Sequence, residues 1–177
     1  MAVALARTAR GLTRTKINRT ALALLGLLGL GLVAAVVAVV VLLLRLQDAS
    51  DENARREEIL QTARQQGINL TTLDHRTVDE DLERVLAGAT GTFKEEFAAG
   101  TKDLTDLVVE NEAVSTGEVL EAGIVTADAD SARVLVVVDS TVSNTATGEE
   151  QVRHYRMQLD LTRSGARWLT SDLEFVG

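Results

Sequence analysis

Two histidines are the side chains best suited to move protons near neutral pH, and each has a carboxylate candidate partner. His75 directly follows Asp74, and His154 lies on a predicted strand where Asp139 or Asp160 would be its partner. Such a pair inside a pocket would serve a dehydratase or an isomerase as general base. Adjacent residues seldom point the same way, and His154 alternates with the polar side of its strand. We therefore expect a solvated turn at His75 and a surface position for His154.

Other enzyme chemistry lacks its motifs. The chain has no Gly-x-x-x-x-Gly-Lys-Ser/Thr loop for ATP hydrolysis and no His-Glu-x-x-His metal motif. It also has no cysteine, which excludes disulfides and thiolate metal sites. We therefore predict a non-enzymatic protein with no catalytic, cofactor-binding or metal-binding residues and no cofactor.

A long apolar run is the strongest pattern in the sequence. Residues 21–44 contain no charged, amide or hydroxyl side chain. As a helix rising about 1.5 Å per residue, the run would measure about 36 Å, enough to cross a hydrocarbon core of about 30 Å. It is longer than the apolar region of a signal peptide, and Arg45 follows it where a cleavage site would need small residues. The run predicts an uncleaved transmembrane helix over residues 21–44.

Charge is divided unequally about this run. Residues 1–20 carry five basic and no acidic side chains, whereas the net charge of the whole chain is −8. Basic residues on the short N-terminal side keep that side in the cytoplasm. We predict a single-pass cell-membrane protein with a cytoplasmic basic tail, residues 1–20, and an acidic extracytoplasmic part. That acidity argues against nucleic acid as a partner.

Helical patterns follow the apolar run. Residues 45–66 are polar and free of Gly and Pro, which favours a helical stalk that ends at Gly67. Thr77 and Glu80 form a capping-box motif that predicts the start of the next helix. Two glycines separate this helix from a third helical pattern.

From residue 115 the apolar period changes to two, which is typical of strands. Four strands are predicted, over residues 117–127, 132–143, 151–162 and 167–176. Short turns rich in Asp, Asn, Ser and Gly join them into an antiparallel meander. Helices followed by a sheet is an α+β order. We predict one cone domain, residues 67–177, in which helices pack on a curved antiparallel four-stranded sheet.

Alternation assigns the strand side chains to faces. The inward set on the third strand is Tyr155, Met157, Leu159 and Leu161. On the fourth strand Trp168 falls among polar residues, which leaves open core packing on the second face of the sheet or a place at a helix edge or on a partner surface. Four arginines in the last hairpin would meet either water or an acidic partner. They are Arg153, Arg156, Arg163 and Arg167.

Six short patches carry a family resemblance. They are residues 69–74 (NLTTLD), 108–111 (VVEN), 115–119 (STGEV), 152–161 (VRHYRMQLDL), 167–169 (RWL) and 173–176 (LEFV). With the apolar run, they make residues 21–177 resemble the Mce-associated membrane protein family of actinobacteria. The resemblance implies a basic tail, one membrane helix and an exported cystatin-like cone of the nuclear transport factor 2-like (SnoaL-like) type. It also implies an accessory role beside mammalian-cell-entry (Mce) lipid importers.

The resulting prediction is a non-enzymatic accessory or scaffold protein anchored in the cell membrane. The partners implied by the resemblance are Mce proteins and their permease, and a hydrophobic lipid ligand would suit an apolar cavity in the cone. One alternative is an inner-membrane channel component of type IV secretion, which has the same tail, anchor and cone. Another is a cone-fold lipid-binding protein or enzyme. The enzyme version requires His154 to point into a pocket together with Asp139 or Asp160.

Overall fold

The computed structural model describes residues 19–145 and 148–176. The order of elements along the chain is α1 (Arg19–Thr71), β1 (Leu73–Asp74), α2 (Val78–Ala87), α3 (Gly91–Glu110), β2 (Val114–Ala127), β3 (Ser131–Ser143), β4 (Gln151–Ser164) and β5 (Arg167–Phe175). The chain divides into two compact units, Met1–Ala49 and Ser50–Gly177.

In the first unit, the apolar run predicted to cross a membrane is part of α1. Its large apolar side chains between Leu27 and Leu42 are 48% to 70% exposed where they are described. Over the described residues, no helix reaches the combined length and hydropathy of a membrane span. The side chains of residues 21–25, 34 and 43–44 lie outside the described part of the predicted span, as do residues 1–18 of the predicted basic tail.

In the second unit, the sheet has five antiparallel strands in the order β1-β2-β3-β4-β5. The four predicted strands are present with ends shifted by up to three residues, and the meander is confirmed. The prediction of four strands was one too few. Residues 73 and 74 pair with Ser115 and Val114 as a short edge strand, which has no periodicity to reveal it because it is two residues long.

The main core lies between the C-terminal half of α1 and the inner face of this sheet. Ile59 and Ala63 of α1 are fully buried there. They pack against buried side chains of β3, β4 and β5, namely Val134, Val136, Val138, Met157, Leu159, Leu161 and Trp168. The predicted inward set of β4 is confirmed, with Tyr155 half-buried and the other three members buried. Helices on one face of a curled sheet confirm the α+β prediction.

Three bulges change the alternation of side chains along the strands. Leu120 and Val125 are extra residues in β2 relative to β3, and Ser171 is extra in β5 relative to β4. A bulge moves the following residues to the opposite face. Trp168 and Thr170 therefore face the core before the bulge, and Leu173 packs against the core after it.

The predicted helix end at Gly67 was wrong, because α1 continues to Thr71. A Cβ on Gly67 would lie 3.3 Å from a methyl group of Val136 and 3.4 Å from one of Val138. This glycine therefore lies where the helix packs closely against the sheet, and its small size serves packing rather than termination.

The predicted capping box was also wrong. Thr77 makes no cap hydrogen bond with a backbone N–H of the described residues. The buried carboxylate of Asp81 accepts instead from the Asp74 backbone N–H at 2.8 Å and forms an ion pair with Arg84. One carboxylate thus fastens edge strand β1 to helix α2.

Replacing Asp81 with alanine should destabilise the domain by about 1–3 kcal/mol, since it leaves the Asp74 N–H without this acceptor. Urea unfolding of the full chain measures the change. Asp79→Ala is the matched control, because Asp79 is an exposed carboxylate in the same helical turn, and its loss should stay within about 0.5 kcal/mol. Equal losses in the two variants would contradict the assigned role of Asp81.

Gly117→Ala should destabilise the domain by about 1–3 kcal/mol, as overpacking typically does. A Cβ at this position would lie 1.9 Å from Thr71 Oγ1 and 2.9 Å from Thr71 Cβ, and that threonine is held by a hydrogen bond to Gly67 O. Gly123→Ala on the same strand is the control, since its Cβ would meet none of the described atoms within 4 Å. Urea midpoints that fall equally in both variants would show that the contact does not restrict position 117.

Candidate functional site

A cavity of about 620 Å³ lies between α3 and the inner face of the sheet. Its volume is within the range of about 300–1,000 Å³ that is typical of small-molecule sites. Most of the lining is apolar and comes from α1, β1, α3 and strands β3 to β5. The apolar lining residues are Leu70, Leu73, Phe93, Phe97, Leu104, Leu107, Val108, Ala113, Val142, Tyr155, Met157, Leu173 and Phe175.

Strand β4 runs from the mouth of the cavity to its floor. Three of its inward residues line the cavity, and their exposure falls in order: Arg153 is exposed, Tyr155 is half-buried and Met157 is fully buried. Apolar side chains also reach solvent at the mouth, where Leu107 is 58% exposed and Phe175 61%. The cavity is therefore open at a cationic and apolar rim and closed at an apolar floor.

Most polar groups in the lining are already used by the protein. Thr71 donates to Gly67 O at 2.7 Å, and Ser140 donates to Thr71 O at 3.1 Å. Ser115 accepts from Leu73 N at 3.0 Å, and Asn111 donates to Leu107 O at 2.8 Å. These groups stabilise the walls and leave few polar atoms to a ligand.

Two side chains differ from this pattern. Within the described residues, neither the Arg153 guanidinium nor the Tyr155 hydroxyl has a hydrogen bond or an ion pair. Arg153 is also the one charged residue among the described residues of the lining. The Tyr155 ring contacts the Phe175 ring at a centroid distance of 5.9 Å, which orients the hydroxyl. Both groups stay available for contact with a bound molecule.

The histidine–carboxylate pair considered for acid–base chemistry forms on the other face of the sheet. His154 Nδ1 lies 2.5 Å from Asp139 Oδ1, and the His154 side chain is 73% exposed. The surface position expected for His154 is confirmed, and the enzyme version that needed it inside the cone is wrong. Strand alternation is the reason, because His154 has the opposite parity to the cavity residues Arg153 and Tyr155.

The second carboxylate considered for His154 has a different partner. Asp160 accepts two hydrogen bonds from Arg133, both at 2.7 Å, across β3 and β4. These hydrogen bonds hold the pKa of the Asp160 carboxyl below its usual range. The pair stabilises the outer face of the sheet and is separate from the cavity.

His75 lies in the turn between β1 and α2, half-buried, with Nδ1 3.6 Å from Asp74. The stronger partner of Asp74 is Arg76, whose Nε donates to its carboxylate at 2.8 Å. This hydrogen bond holds the pKa of Asp74 far below its usual range. The turn is thus a local ion-pair cluster, and no group of three or more His, Asp or Glu in the described residues could hold a metal ion.

The remaining candidate residues divide between core and surface. Trp168 is 4% exposed in the main core, so core packing is correct, but it lies on the inner face of the sheet and the predicted second face was wrong. All four arginines of the last hairpin are exposed, but Arg153 lies on the cavity side and Arg156 on the outer face. Sequence alternation already placed Tyr155 inward, and Arg153 two residues before it has the same parity. That parity was the signal that could have placed Arg153 in the cavity.

Comparison with protein families gives a match over nearly the whole chain. Residues 17–177 match the family model described as "Uncharacterized protein Rv1363c/MT1408-like". The chain belongs to this family. One relative of this Rv1363c/MT1408-like chain is the uncharacterized protein Rv1363c of Mycobacterium tuberculosis (strain ATCC 25618 / H37Rv), which is 31% identical over 129 residues. The match covers 73% of this chain and 49% of the relative, so the chain spans about half the length of the curated relative it matches.

Several solved structures are similar to this chain in fold. An IcmL-like type IV secretion system protein from Legionella pneumophila subsp. pneumophila strain Philadelphia 1 has a TM-score of 0.57 at 16% identity, covering 68% of this chain and 91% of its own. The periplasmic domain of DotI has a TM-score of 0.55 at 17% identity, covering 67% and 92%. CagV, a VirB8 homologue from Helicobacter pylori strain 26695, has a TM-score of 0.55 at 6% identity, covering 68% and 97%. The Rv1363c/MT1408-like chain shares their fold.

Arg133→Gln should lower stability at neutral pH and have little effect in acid. The folded-state pKa of Asp160 is lowered by Arg133, so the pair stabilises the fold above the ordinary carboxyl pKa of 3.8, and this contribution is lost as the pH falls below it. Urea midpoints of the wild type and the variant should therefore differ at pH 7, and the difference should shrink as the pH falls below 3.8 and through the lowered folded-state pKa of Asp160. Arg156→Gln is the control on the same face, and a gap for Arg133→Gln that persists in acid would contradict the linkage.

Proposed function

We propose that this chain is a membrane-anchored, non-enzymatic assembly protein that holds an extracytoplasmic cone domain beside an envelope transport complex. The observation that carries the proposal is one combination within a single chain. An uncharged run, residues 21–44, precedes a domain that shares its fold with the periplasmic domain of DotI. A membrane tether formed by this run, together with a domain of this fold, would suit a protein that positions partners at a membrane surface.

Charge and hydropathy support the tether. The large apolar side chains of α1 between Leu27 and Leu42 are mostly exposed, and burial of so much apolar surface is strongly favourable. A bilayer would provide that burial. The five basic residues before the run would keep the N-terminus in the cytoplasm and place the cone domain outside it.

The chemistry of the cone supports an assembly role over catalysis. Arg153, the charged residue of the described cavity lining, carries a guanidinium that does not deprotonate in proteins and cannot act as a general base. The exposed His154–Asp139 pair lies on the outer face, away from the apolar lining. Acid–base catalysis needs its groups to converge on one bound substrate, and these groups lie on opposite faces of the sheet.

The partners that we propose first are subunits of an Mce-type lipid importer, namely Mce proteins and their permease. The support is the resemblance carried by residues 152–161 and the other patches described above. Residues 152–161 form most of β4, which contributes side chains both to the cavity and to the outer face. Contacts with partner subunits would use the cone domain, while the α1 run holds it at the membrane.

A specific observation favours a second candidate. Three solved structures that share the fold are an IcmL-like type IV secretion protein, DotI and a VirB8 homologue. An inner-membrane component of a type IV secretion channel would have the same arrangement of tail, anchor and cone. The two candidates agree on architecture and differ in the complex that the cone contacts.

Affinity purification of the tagged full-length chain from its native membrane in mild detergent separates these candidates. We expect Mce proteins and their permease to be enriched at least about tenfold over an unrelated single-pass membrane protein, which corresponds to about 1.4 kcal/mol of preference. Enrichment of secretion-channel subunits would favour the second candidate. Recovery of neither set would contradict the assembly role.

Charge reversal at the tip of the last hairpin should weaken recovery of the partner. Arg163 and Arg167 are exposed at the β4–β5 turn and stand out in an acidic chain. If they meet an acidic surface, Arg163→Glu/Arg167→Glu should reduce recovery by about tenfold, because like charges facing each other oppose binding. The same purification, quantified by mass spectrometry, measures the change.

Lys94→Glu/Lys102→Glu is the matched control for this charge reversal. It changes the net charge by the same amount on the exposed side of α3 and breaks only the surface pair of Lys102 with Asp106. The control should recover partners at the wild-type level. Equal losses of partner recovery in both double variants would indicate a general effect of charge and would show that the hairpin tip is not part of the interface.

A further inference from the structure

We propose that the cavity of the cone domain binds a single-chain amphiphile with an anionic head, of the long-chain carboxylate class. The head would lie at Arg153 and the alkyl chain would extend past Tyr155 towards Met157. This adds a ligand-binding activity to the assembly role proposed above. It is measured on the chain without partners, so its failure would leave the assembly role unchanged.

The first argument is the gradient of polarity along the cavity. The mouth has one cation, and the floor is apolar at the buried side chains of Met157 and Phe93. A molecule that fits this gradient is charged at one end and apolar along the rest. A wholly apolar ligand would leave the Arg153 end unused, and a polar metabolite would leave the apolar floor without a matching surface.

The second argument is charge complementarity. The chain carries a net charge of −8, so an exposed arginine has many carboxylates to pair with. Arg133 and Arg84 do pair with carboxylates. Arg153 has no ion pair within the described residues, as is also true of Arg156, Arg163 and Arg167, but Arg153 is the one charged side chain of the described cavity lining. A guanidinium in this position matches a carboxylate in geometry and charge.

The third argument is the second unused donor. The Tyr155 hydroxyl has no hydrogen bond within the described residues, while its ring is held against Phe175. Tyr155 and Arg153 are two residues apart on one strand, so their side chains leave the same face of β4. Two donors at the mouth can therefore bind one anionic head from the same side.

The volume sets the number of alkyl chains. About 620 Å³ is a mid-sized small-molecule site. The space is bounded by Leu104 on the helix side and by Val142 on the sheet side. We therefore assign one chain to the cavity rather than the two chains of a membrane phospholipid.

Photolabelling of the full chain in phosphatidylcholine nanodiscs tests the assignment. The probe is a palmitate analogue with a diazirine in its alkyl chain, and the neutral comparison is the corresponding alcohol. We expect the carboxylate to label peptides of α3 and β4, with labelling at least about tenfold above that by the alcohol, since a lost charge-assisted hydrogen bond typically costs that factor or more.

Two matched pairs of variants locate the ligand. Arg153→Ala should remove the preference for the carboxylate, whereas Arg156→Ala on the outer face of the same strand should keep it. Val142→Trp should block the cavity and reduce labelling of α3 about tenfold or more, whereas Thr141→Trp at the neighbouring outward position should not. Tyr155→Phe keeps the ring contact with Phe175 and should weaken labelling by a smaller factor.

Three results would overturn the proposal. Labelling confined to residues 19–44 would show partition of the probe into the bilayer without binding to the cone. Equal labelling by the carboxylate and the alcohol would show that the cavity does not recognise an anionic head. Equal effects of Arg153→Ala and Arg156→Ala would show that Arg153 does not bind the head group. This pair of variants remains informative even if Val142→Trp fails to fold, because both arginines are exposed.

Discussion

The contact between the last turns of α1 and the inner face of the sheet is the constraint on which the rest of the cone domain depends. Gly67 lies against the methyl groups of Val136 and Val138, and Gly117 leaves room for the side chain of Thr71. Ser140 then donates to Thr71 O at 3.1 Å. Because α1 covers the sheet closely at this point and ends there, the adjoining part of the inner face is left to α3. The cavity lies under α3, and Thr71 and Ser140 form part of the cavity wall.

Alternation along β4 then separates two kinds of chemistry by face. On the outer face, cations and carboxylates pair with one another, as in Arg133 with Asp160 and His154 with Asp139. On the inner face of β4, the side chains from Tyr155 to Leu161 form part of the core or the cavity wall, and Arg153 lies at the mouth without an ion pair within the described residues. A single strand thus contributes both a solvated charged surface and the wall of an apolar cavity. Two neighbouring residues, Arg153 and His154, consequently belong to unrelated environments.

Fold and function are carried by different features of this chain. The fold is shared with secretion proteins at 6% to 17% identity, so it depends on the pattern of helices and strands rather than on particular side chains. Membership of the Rv1363c/MT1408-like family extends over residues 17–177 and therefore includes the apolar run. The proposed assembly role depends on that run and on the exposed surfaces of the cone. The proposed ligand depends on two side chains of β4 and on the apolar floor behind them.

Sequence patterns were enough to predict the α+β order, four of the five strands, the inward set of β4 and the outward position of His154. Each follows from a periodicity of 3.6 or 2 that residues close in the chain establish locally. The fifth strand, the inward position of Trp168, the role of Gly67 and the cavity became evident only from the folded chain. A two-residue strand has no period, a bulge at Ser171 reverses the parity on either side of it, and the space beside Gly67 is defined by valines about 70 residues away. These features arise from contacts between distant residues, and local patterns carry no information about such contacts.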